Sequence, residues 1–435
     1  MITDNHPFKI NEAGHLEAGG VDLVNLAETY GTPLYVYDVS IIRDNCRQFI
    51  QTFKELGVQA QVAYASKAFS AIAMLQVVNQ EGMSLDVVSK GELYTALQAD
   101  VPVNKIHLHG NNKSLEELTM AIDHDIGCIV VDNFYEIDLI ERILHDKHKT
   151  IHVLMRVTPG IESNTHQYIM TGNEDSKFGF NLSNGQADQA FLRLRRNSRI
   201  HVKGLHSHIG SQLFESDGPL LAAQLLFQKL DYWHTEYGFI PDVLNLGGGF
   251  GIRYTAEDEP LSYPAFVKEL VSAVQQHAAA IEIPTPEIWI EPGRAIAGNA
   301  GLTLYTVGAM KTVPGVRHYI SVDGGMTDNL RPALYQAAYE GVLANKASLP
   351  NVQTVSVAGK CCESGDILIW NLPLPAVEPN DILAVFSTGA YGYSMANHYN
   401  RFAKPAVVFA ENGKSQEVVR RETYEDVVKN DRSYE

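Results

Sequence analysis

Residues 61–68 read Gln-Val-Ala-Tyr-Ala-Ser-Lys-Ala, a short run of strand type that ends in a single lysine, Lys67. An unpaired lysine is rarely buried, so the simplest interpretation of Lys67 is a solvated charge at the end of a strand. The alternative is an amine whose pKa is lowered by its surroundings and which attacks a carbonyl group to form an imine. The residues that accompany Lys67 in the rest of the chain decide between the two.

Seven further runs of strand type follow. The eight runs are Gln61–Lys67, Ser84–Ser89, Lys105–Gly110, Cys128–Asn133, His152–Thr158, Val202–Gly210, Val243–Gly249 and Glu287–Arg294. Amphipathic stretches of helical period separate the early runs, at Ala71–Glu81, Gly91–Ala99, Ser114–Asp125 and Phe134–His145. Ser114 followed by Glu117 is a capping-box signal for the start of a helix. Eight repeated βα units predict a closed, TIM-like (β/α)₈ barrel of parallel strands rather than an open doubly wound sheet.

After Arg294 the helical periodicity fades and β-rich runs with turn signals take over, which predicts a mainly β C-terminal domain. These runs are Leu302–Val307, His318–Val322, Val352–Val357, Asp366–Trp370, Asp381–Phe386 and Ala406–Ala410. The strand-like stretch Pro33–Asp38 precedes the first barrel unit, and we expect it to join the β domain. The sequence therefore predicts a barrel over residues 39–300 and a discontinuous β domain over residues 1–38 and 301–435.

Composition excludes several classes of protein. The 435 residues suit two domains, and the net charge of −17, with no long Lys/Arg cluster, argues against a nucleic-acid partner. No apolar run approaches the length that crosses a bilayer, and no secretory signal pattern opens the sequence, so no membrane association is expected. The four cysteines have neither disulfide-framework nor zinc-site spacing. We therefore expect a cytoplasmic enzyme.

The C-terminal ends of barrel strands carry active sites, and two such ends carry informative residues here. The seventh run ends in Gly247-Gly-Gly249, which lets the backbone approach a ligand closely, although the dinucleotide fingerprint is not met. Loops after strands 7 and 8 commonly bind phosphate in barrels. The eighth run ends in Glu291-Pro-Gly-Arg294. Glu291 could form a structural ion pair, or it could keep a pyridine nitrogen protonated.

Two histidines, His206 and His208, lie two residues apart in the sixth run, so their side chains share one face of the strand. Metal ligation is one interpretation, but the sequence offers no third ligand of suitable spacing, and no metal is expected. His208 is better interpreted as an aromatic plate that stacks on a planar cofactor. Together with Lys67, the glycine turn and Glu291, it points to pyridoxal 5′-phosphate.

The chain also resembles the diaminopimelate decarboxylases, which are fold type III (alanine-racemase-like) pyridoxal-phosphate enzymes, from about Pro33 to Ala406. The matching motifs include Tyr64-Ala-Ser-Lys67, Asp86-Val-Val-Ser89, His109-Gly-Asn-Asn-Lys113, Arg156-Val-Thr-Pro-Gly160, Thr171-Gly-Asn-Glu-Asp-Ser-Lys-Phe-Gly-Phe180 and Gly204-Leu-His-Ser-His-Ile-Gly-Ser-Gln212. They continue, in the family's order, with Asp323-Gly-Gly-Met-Thr-Asp-Asn-Leu-Arg-Pro332, Cys361-Cys-Glu-Ser-Gly-Asp366 and Gly389-Ala-Tyr-Gly392.

The resemblance implies a role for each matched residue. The lysine at Lys67 holds the cofactor, His208 stacks on its ring and Glu291 pairs with the ring nitrogen. The implied cofactor-binding set is Lys67, Asp86, His208, Ser211, Gly248, Gly249, Glu291, Gly293, Arg294 and Tyr391. The implied substrate-binding set is Arg294, Arg331 and Tyr335 for the retained carboxylate, Glu363 for the distal ammonium group, and Tyr391.

Cys362 matches the family's proton donor, and its catalytic partners are Lys67 and His208. A free cysteine is usually a small buried hydrophobe, but the polar and turn-forming residues after Cys362 make core packing less suitable. Of the two cysteines only Cys362 directly precedes Glu363, as the acid does in the family, so we prefer Cys362 as the acid. The resemblance also implies a homodimer with shared active sites, because the segment of Cys362 and Glu363 enters the neighbouring subunit. Phe69 departs from a position that is polar in many relatives and should change only the pocket rim.

The resemblance implies decarboxylation of meso-2,6-diaminopimelate to L-lysine, with Lys67 exchanged for the substrate amine and Cys362 protonating the carbon that loses CO₂. A related decarboxylase of ornithine, lysine or arginine is the nearest alternative, but its substrate has no second carboxylate for the Arg294, Arg331 and Tyr335 clamp. An amino-acid racemase of related fold is disfavoured by the motifs after Arg294. A catalytically inactive binding protein should have lost Lys67 or Cys362, and both are present.

Overall fold

The structure is a computed structural model that describes residues 6–160 and 175–435. The chain divides into two compact units, each assembled from separate segments. The barrel unit comprises Asp44–Gly251 and Glu259–Ala295, and the β unit comprises Met1–Arg43, Ile252–Asp258 and Ile296–Glu435. No helix in the described ranges is both long enough and apolar enough to cross a membrane.

The N-terminal segment begins with a small antiparallel sheet and leads to the first long helix. Its elements are β1 (Lys9–Ile10), β2 (Leu16–Ala18), β3 (Val21–Asp22), α1 (Leu23–Tyr30), β4 (Leu34–Asp38) and α2 (Val39–Leu56). Asp22 caps α1, because its side chain accepts hydrogen bonds from the backbone N–H groups of Val24 and Asn25.

Within the described residues the barrel unit contains eight parallel strands that close on themselves. They are β5 (Ala60–Ala65), β6 (Ser84–Val87), β7 (Ile106–Leu108), β8 (Cys128–Val131), β9 (Ile151–Thr158), β11 (Ile200–His206), β12 (Val243–Asn245) and β13 (Glu287–Ile290), with the short β10 (Phe180–Asn181) added to β9. Closure is shown by the pairing of β13 with β5 and of β8 with β9. The predicted eight-stranded parallel barrel is therefore confirmed.

Helices follow the barrel strands, and the first four, α3 to α6, lie on the intervals that the periodicity predicted. They are α3 (Ile72–Gln80), α4 (Lys90–Gln98), α5 (Leu115–Asp123), α6 (Phe134–Lys147), α7 (Gln186–Arg196), α8 (Asp217–Tyr237), α9 (Tyr263–Ala280) and the one-turn α10 (Arg294–Ala297). Ser114 and Glu117 form the predicted capping box at the start of α5.

Seven of the eight predicted barrel strands extend too far at their C-terminal ends, the exception being His152–Thr158, and this error matters for the site. Lys67, for example, does not lie in a strand, because β5 ends at Ala65 and residues Ser66–Ala68 form a single 3₁₀ turn. Likewise β12 ends at Asn245, before the three glycines. The candidate site residues therefore lie in the turns that follow the strands.

The β unit is built on one mixed sheet with the strand order β18-β17-β15-β14-β4-β20-β21, in which β19 pairs with β14 and β16 pairs with β19. The elements are β14 (Gly301–Val313), β15 (Arg317–Val322), α11 (Arg331–Tyr335), β16 (Gly341–Leu343), β17 (Gln353–Ala358), β18 (Ile367–Leu374), β19 (Ile382–Val385), β20 (Ala406–Glu411), β21 (Lys414–Val419) and α12 (Tyr424–Val428). The N-terminal strand β4 lies between β14 and β20, where Leu34 and Val36 join an apolar core with Leu302, Leu304 and Val408.

Candidate active site

The backbone at Lys67 is fixed by the burial and the hydrogen bonds of the neighbouring residues. Ser66 and Ala68 are buried on either side of it, while the side chain of Lys67 itself is exposed. The hydroxyl of Ser66 lies within hydrogen-bond distance of two acceptors that share its single proton, the carbonyl of Asp86 at 2.8 Å and the carboxylate of Glu92 at 2.9 Å. The turn thus presents one amine at the C-terminal end of the barrel, which is where a lysine that reacts with a carbonyl group has to lie.

Glu291 immediately follows β13 and is buried, with 6% of its surface exposed. The side-chain amide of Asn245 donates to Oε1 at 2.6 Å, and the Nε2 of His206 lies 3.2 Å from Oε2. The Nε2 of His109 lies 3.3 Å from Oε1. Burial alone would raise the pKa of Glu291, but His109, His206 and His208 together lower it well below its ordinary value. Glu291 is therefore a buried carboxylate that stays ionised.

Asp86 lies in β6 and is almost fully buried, with its Oδ1 3.6 Å from the Nε2 of His109. Burial and the charge of Glu291 raise the pKa of Asp86 well above its usual range, while the charge of Lys67 opposes this rise. Among the described residues Oδ1 of Asp86 has no hydrogen-bond partner. A buried oxygen without a hydrogen-bond donor lowers the stability of the fold. Oδ1 of Asp86 is therefore suited to accept a hydrogen bond from a bound ligand.

His208 lies two residues beyond the end of β11 and is half-buried. Its Nδ1 accepts a hydrogen bond of 3.1 Å from the backbone N–H of Gly248. Burial lowers the pKa of His208 well below its ordinary value, and the charges of Lys67 and Arg156 lower it further. The imidazole is therefore neutral near neutral pH, with its proton on Nε2, because Nδ1 acts as an acceptor.

The glycine turn after β12 packs so closely against its neighbours that it leaves no room for side chains. Gly247 and Gly249 have φ values of +70° and +103°, which favour glycine. A Cβ atom on Gly248 would lie 2.2 Å from the carbonyl oxygen of Glu291, and one on Gly249 would lie 2.6 Å from the carbonyl oxygen of Gly210. The backbone of this turn therefore reaches the segments that carry His208 and Glu291.

The same edge of the barrel carries two polar side chains that contact each other. The guanidinium group of Arg294 is largely buried and donates a 2.9 Å hydrogen bond to the hydroxyl of Ser211. Gly293 precedes Arg294, and a Cβ atom there would lie 3.0 Å from both the Cβ and the carbonyl oxygen of Ala65. The structure thus brings Ser211, the glycine turn and the start of α10 to one place, as their position after consecutive strands predicted.

The sequence analysis matched His109 and Arg156 to family motifs but assigned neither them nor Asn245 to the network around Glu291, which His109 and Asn245 join by close contacts and Arg156 by its charge. The ligand atoms of His109, His206 and Glu291 lie within 4.8 Å of one another, a grouping that could also hold a metal ion and that sequence spacing did not reveal. Within this group His206 is hydrogen-bonded to Glu291, whereas the Nε2 of His109 has no hydrogen-bond partner among the described residues. All three missed residues lie at or next to the C-terminal ends of barrel strands, which is the one signal that could have identified them.

In the β unit, Arg331 begins α11 and is buried, with 8% of its surface exposed. Its guanidinium group donates a 2.7 Å hydrogen bond to the hydroxyl of Tyr339 and lies 4.9 Å from the centre of the Tyr254 ring. Burial by itself would lower the pKa of Arg331, but the interactions with Tyr254, Tyr339 and Tyr391 raise it above its ordinary value. Tyr335 ends the same short helix and is half-buried.

Tyr391 has a backbone φ of +60°, which is uncommon for a residue with a bulky side chain. Strained positions of this kind cluster at functional sites because the surrounding structure has to hold them in place. The charge interaction with Arg331 shows that Tyr391 and Arg331 lie near each other. Two of the predicted substrate-binding residues are therefore gathered within this unit.

Cys361 and Cys362 differ sharply although they are adjacent in the loop between β17 and β18. Cys361 is buried, and burial together with the nearby Asp366 raises the pKa of its thiol to about 11. Cys362 and Glu363 are exposed, and the backbone N–H of Cys362 is held by the side chain of Asn400 at 2.8 Å. The accessible thiol is thus the one that the sequence selects as the acid.

The first four residues of the Thr171–Phe180 motif lie outside the described residues.

Comparison with known proteins identifies the family. Residues 40–298 match the pyridoxal-binding domain of the pyridoxal-dependent decarboxylases. The diaminopimelate decarboxylase of Bacillus methanolicus is 61% identical over 413 residues, which cover 95% of this chain and 96% of the relative. The chain belongs to the diaminopimelate decarboxylase family.

Two further members of the diaminopimelate decarboxylase family support this assignment. The Bacillus subtilis (strain 168) enzyme is 60% identical over 421 residues, which cover 97% of this chain and 96% of the relative. The crystal structure of the M. jannaschii enzyme in complex with L-lysine superposes with a TM-score of 0.93 at 33% identity, covering 99% of this chain and 98% of that one. The predicted family and its fold, a barrel with a mainly β domain, are confirmed.

Proposed function

We propose that this chain decarboxylates meso-2,6-diaminopimelate at its D-centre, giving L-lysine and CO₂, with pyridoxal 5′-phosphate as cofactor. This reaction is the last step of bacterial lysine biosynthesis. The observation that carries the proposal is the end-to-end likeness to two bacterial diaminopimelate decarboxylases, at 61% and 60% identity. The complex of the M. jannaschii relative with L-lysine supports lysine as the product.

The barrel residues fit pyridoxal phosphate. An exposed amine at Lys67 suits the aldehyde, and the neutral, half-buried imidazole of His208 offers a flat surface to a ring. The glycine turn, with Ser211 and Arg294 beside it, offers N–H and O–H donors to a phosphate group. The proposed cofactor-binding set is Lys67, Asp86, His208, Ser211, Gly248, Gly249, Glu291, Gly293, Arg294 and Tyr391.

Bound pyridoxal phosphate supplies an electron-withdrawing ring that accepts the electron pair left when CO₂ departs. Glu291 keeps a proton on the ring nitrogen, because its own pKa is held well below the ordinary value and its carboxylate stays ionised. Asn245 and His206 orient that carboxylate through their hydrogen bonds to Oε1 and Oε2. The Nζ of Lys67 tethers the cofactor at the strand end.

The proposal also assigns residues to the binding of the substrate. Arg294, Arg331 and Tyr335 bind the carboxylate that is retained, a task that suits the planar fork of an arginine. Glu363 binds the distal ammonium group. The Sγ–H of Cys362 donates a proton to the carbon that has lost CO₂, as a general acid.

The exposed position of Cys362 and Glu363 supports a further part of the proposal, a homodimer in which this loop completes the active site of the neighbouring subunit. We assign cofactor binding to a domain of residues 39–300. The domain of residues 1–38 and 301–435 then supplies the loop. All four cysteines are free, which supports a reducing, cytoplasmic location.

A CO₂-release assay on a substrate panel tests the proposal. Purified protein loaded with pyridoxal phosphate should release CO₂ from diaminopimelate and show little activity with ornithine, lysine or arginine, which lack a carboxylate for the proposed clamp. Preference for one of those three would support the related basic amino-acid decarboxylases instead. Lys67→Ala should abolish both the turnover and the visible absorbance of the bound cofactor, so an active and coloured variant would refute the assigned role of Lys67.

A further inference from the structure

Asp366 occupies the end of the loop that joins β17 to β18, and its side chain is turned into the protein with only 3% of the residue exposed. A second loop, residues 323–330, leads from β15 to Arg331 at the start of α11. Strands β15 and β17 are parallel neighbours, so the loops that follow them leave from the same end of the sheet. Asp366 lies where these two loops meet.

The carboxylate of Asp366 accepts one backbone hydrogen bond from each loop. Its Oδ1 accepts the N–H of Met326 at 2.7 Å, and its Oδ2 accepts the N–H of Cys361 at 2.8 Å. A direct backbone bond of 2.9 Å, from the N–H of Lys360 to the carbonyl of Gly324, joins the same two loops. Because both carboxylate oxygens receive a donor, an amide in this position could satisfy only one of them.

Two glycines make room for this carboxylate. A Cβ atom on Gly325 would lie 2.4 Å from Oδ2 of Asp366, and a Cβ atom on Gly359 would lie 2.2 Å from the same oxygen. Both contacts are far shorter than side-chain atoms tolerate. The sequence therefore keeps a glycine on each loop at the point where the carboxylate passes between them.

We propose that Asp366 is a positioning residue that locks the loop leading to Arg331 and the loop carrying Cys362 and Glu363 into one arrangement. The inference rests on the proposed function, which assigns carboxylate binding to Arg331 and proton donation to Cys362. The spacing between these groups then depends on a buried carboxylate that touches neither substrate nor cofactor and that acts beside the direct backbone bond from Lys360 to Gly324. Loss of its charge releases both loops together.

Hydrogen exchange and steady-state kinetics of the cofactor-loaded Asp366→Asn enzyme test this proposal. Amide exchange in peptides covering residues 324–330 and 359–363 should accelerate at least tenfold in both loops together, which corresponds to about 1.4 kcal/mol. At unchanged cofactor content, kcat should fall and KM for diaminopimelate should rise. A merely structural role would lower the melting temperature and leave kcat and KM per loaded site unchanged.

Asp381→Asn is the matched control. Asp381 is another buried carboxylate of the β unit, and it accepts the backbone N–H of Glu378 at 2.7 Å. Its substitution should lower stability without changing exchange in either loop or the two kinetic constants. Gly359→Ala keeps the charge of Asp366 but displaces its carboxylate, and it should reproduce the Asp366→Asn result. It replaces that variant if Asp366→Asn does not fold.

The proposal is overturned if exchange rises in only one loop or in neither, or if both loops loosen while kcat and KM stay at wild-type values. The proposed function fails in a different way, because the wild-type enzyme would then release no CO₂ from diaminopimelate. The exchange measurement needs no turnover, so it still decides whether Asp366 couples the loops in that case.

Discussion

Asn245→Leu removes the amide that orients Glu291 while keeping the same number of non-hydrogen atoms and the same branching in the side chain. In the native structure Asn245 donates to Oε1 of Glu291 at 2.6 Å and accepts the backbone N–H of Gly247 at 2.9 Å. Loss of a hydrogen bond to a charged group costs about 1.5–3 kcal/mol, and a stranded buried N–H costs about 1–3 kcal/mol. Because Asn245 is fully buried, water cannot replace either partner, and the free energy of unfolding should fall by about 3–5 kcal/mol.

The measurement is denaturant unfolding of the cofactor-free protein, followed by a cofactor titration. Trp233 and Trp289 are buried in the barrel unit, so tryptophan fluorescence reports on its unfolding. A misoriented Glu291 should also weaken pyridoxal phosphate binding by about tenfold, the equivalent of 1.4 kcal/mol.

Asn345→Leu is the matched control for this experiment. Asn345 also donates to a carboxylate, that of Asp381 at 2.8 Å, and accepts a backbone N–H, that of Ile382 at 3.1 Å, but it belongs to the β unit. It should lose stability and keep its cofactor affinity. A loss below about 1 kcal/mol in Asn245→Leu, or equal cofactor affinities in the two variants, would refute the role given to Asn245.

Three further predictions follow from the two units. Cys362→Ser should lower kcat by about 10²-fold with the cofactor still bound, whereas Cys361→Ser should mainly lower stability. Steady-state kinetics with cofactor quantitation measures both effects, and a larger loss of kcat in Cys361→Ser would contradict the choice of acid. Burial raises the pKa of Asp328 to about 7, above the ordinary 3.9 of the unfolded chain, so its contribution to stability is present below pH 4 and is lost as the pH rises to 7. Between pH 5 and pH 8 the wild type should therefore lose about 2–3 kcal/mol more of its free energy of unfolding than Asp328→Asn loses, and equal losses in the two proteins would contradict the assignment. Mixing inactive Lys67→Ala and Cys362→Ala homodimers should restore about a quarter of wild-type activity if each site uses both subunits, and no recovery after subunit exchange would exclude shared sites.

The barrel could be predicted from sequence because the signal is repeated eight times. Each βα unit carries its own apolar run and amphipathic helix, so an error of a few residues in one unit does not change the count. The turn after each strand could not be predicted as well. Residues such as Ser66, Gly247 and Gly248 are as buried as the strand before them, and burial pattern alone does not show where the pairing stops.

The candidate site could be predicted only in part, for a related reason. Lys67, Glu291 and the glycine turn stand out because each is unusual for its position in a strand-end segment. The contacts of Glu291 could not be predicted, since His109, His206 and Asn245 lie at or just beyond the ends of three different strands and meet only when the barrel closes. Asp366 was interpreted as the start of a strand, whereas its side chain turns inward to bind two backbone N–H groups, which depend on long-range contacts.

Borohydride reduction of protein loaded with pyridoxal phosphate, followed by peptide mass mapping, tests the central claim most directly. The claim is that the amine at the end of β5 carries the cofactor. One pyridoxyl adduct per chain should appear on Lys67, and the peptides of the other lysines should remain unmodified. An adduct on a different lysine, or none at all on Lys67, would contradict the account.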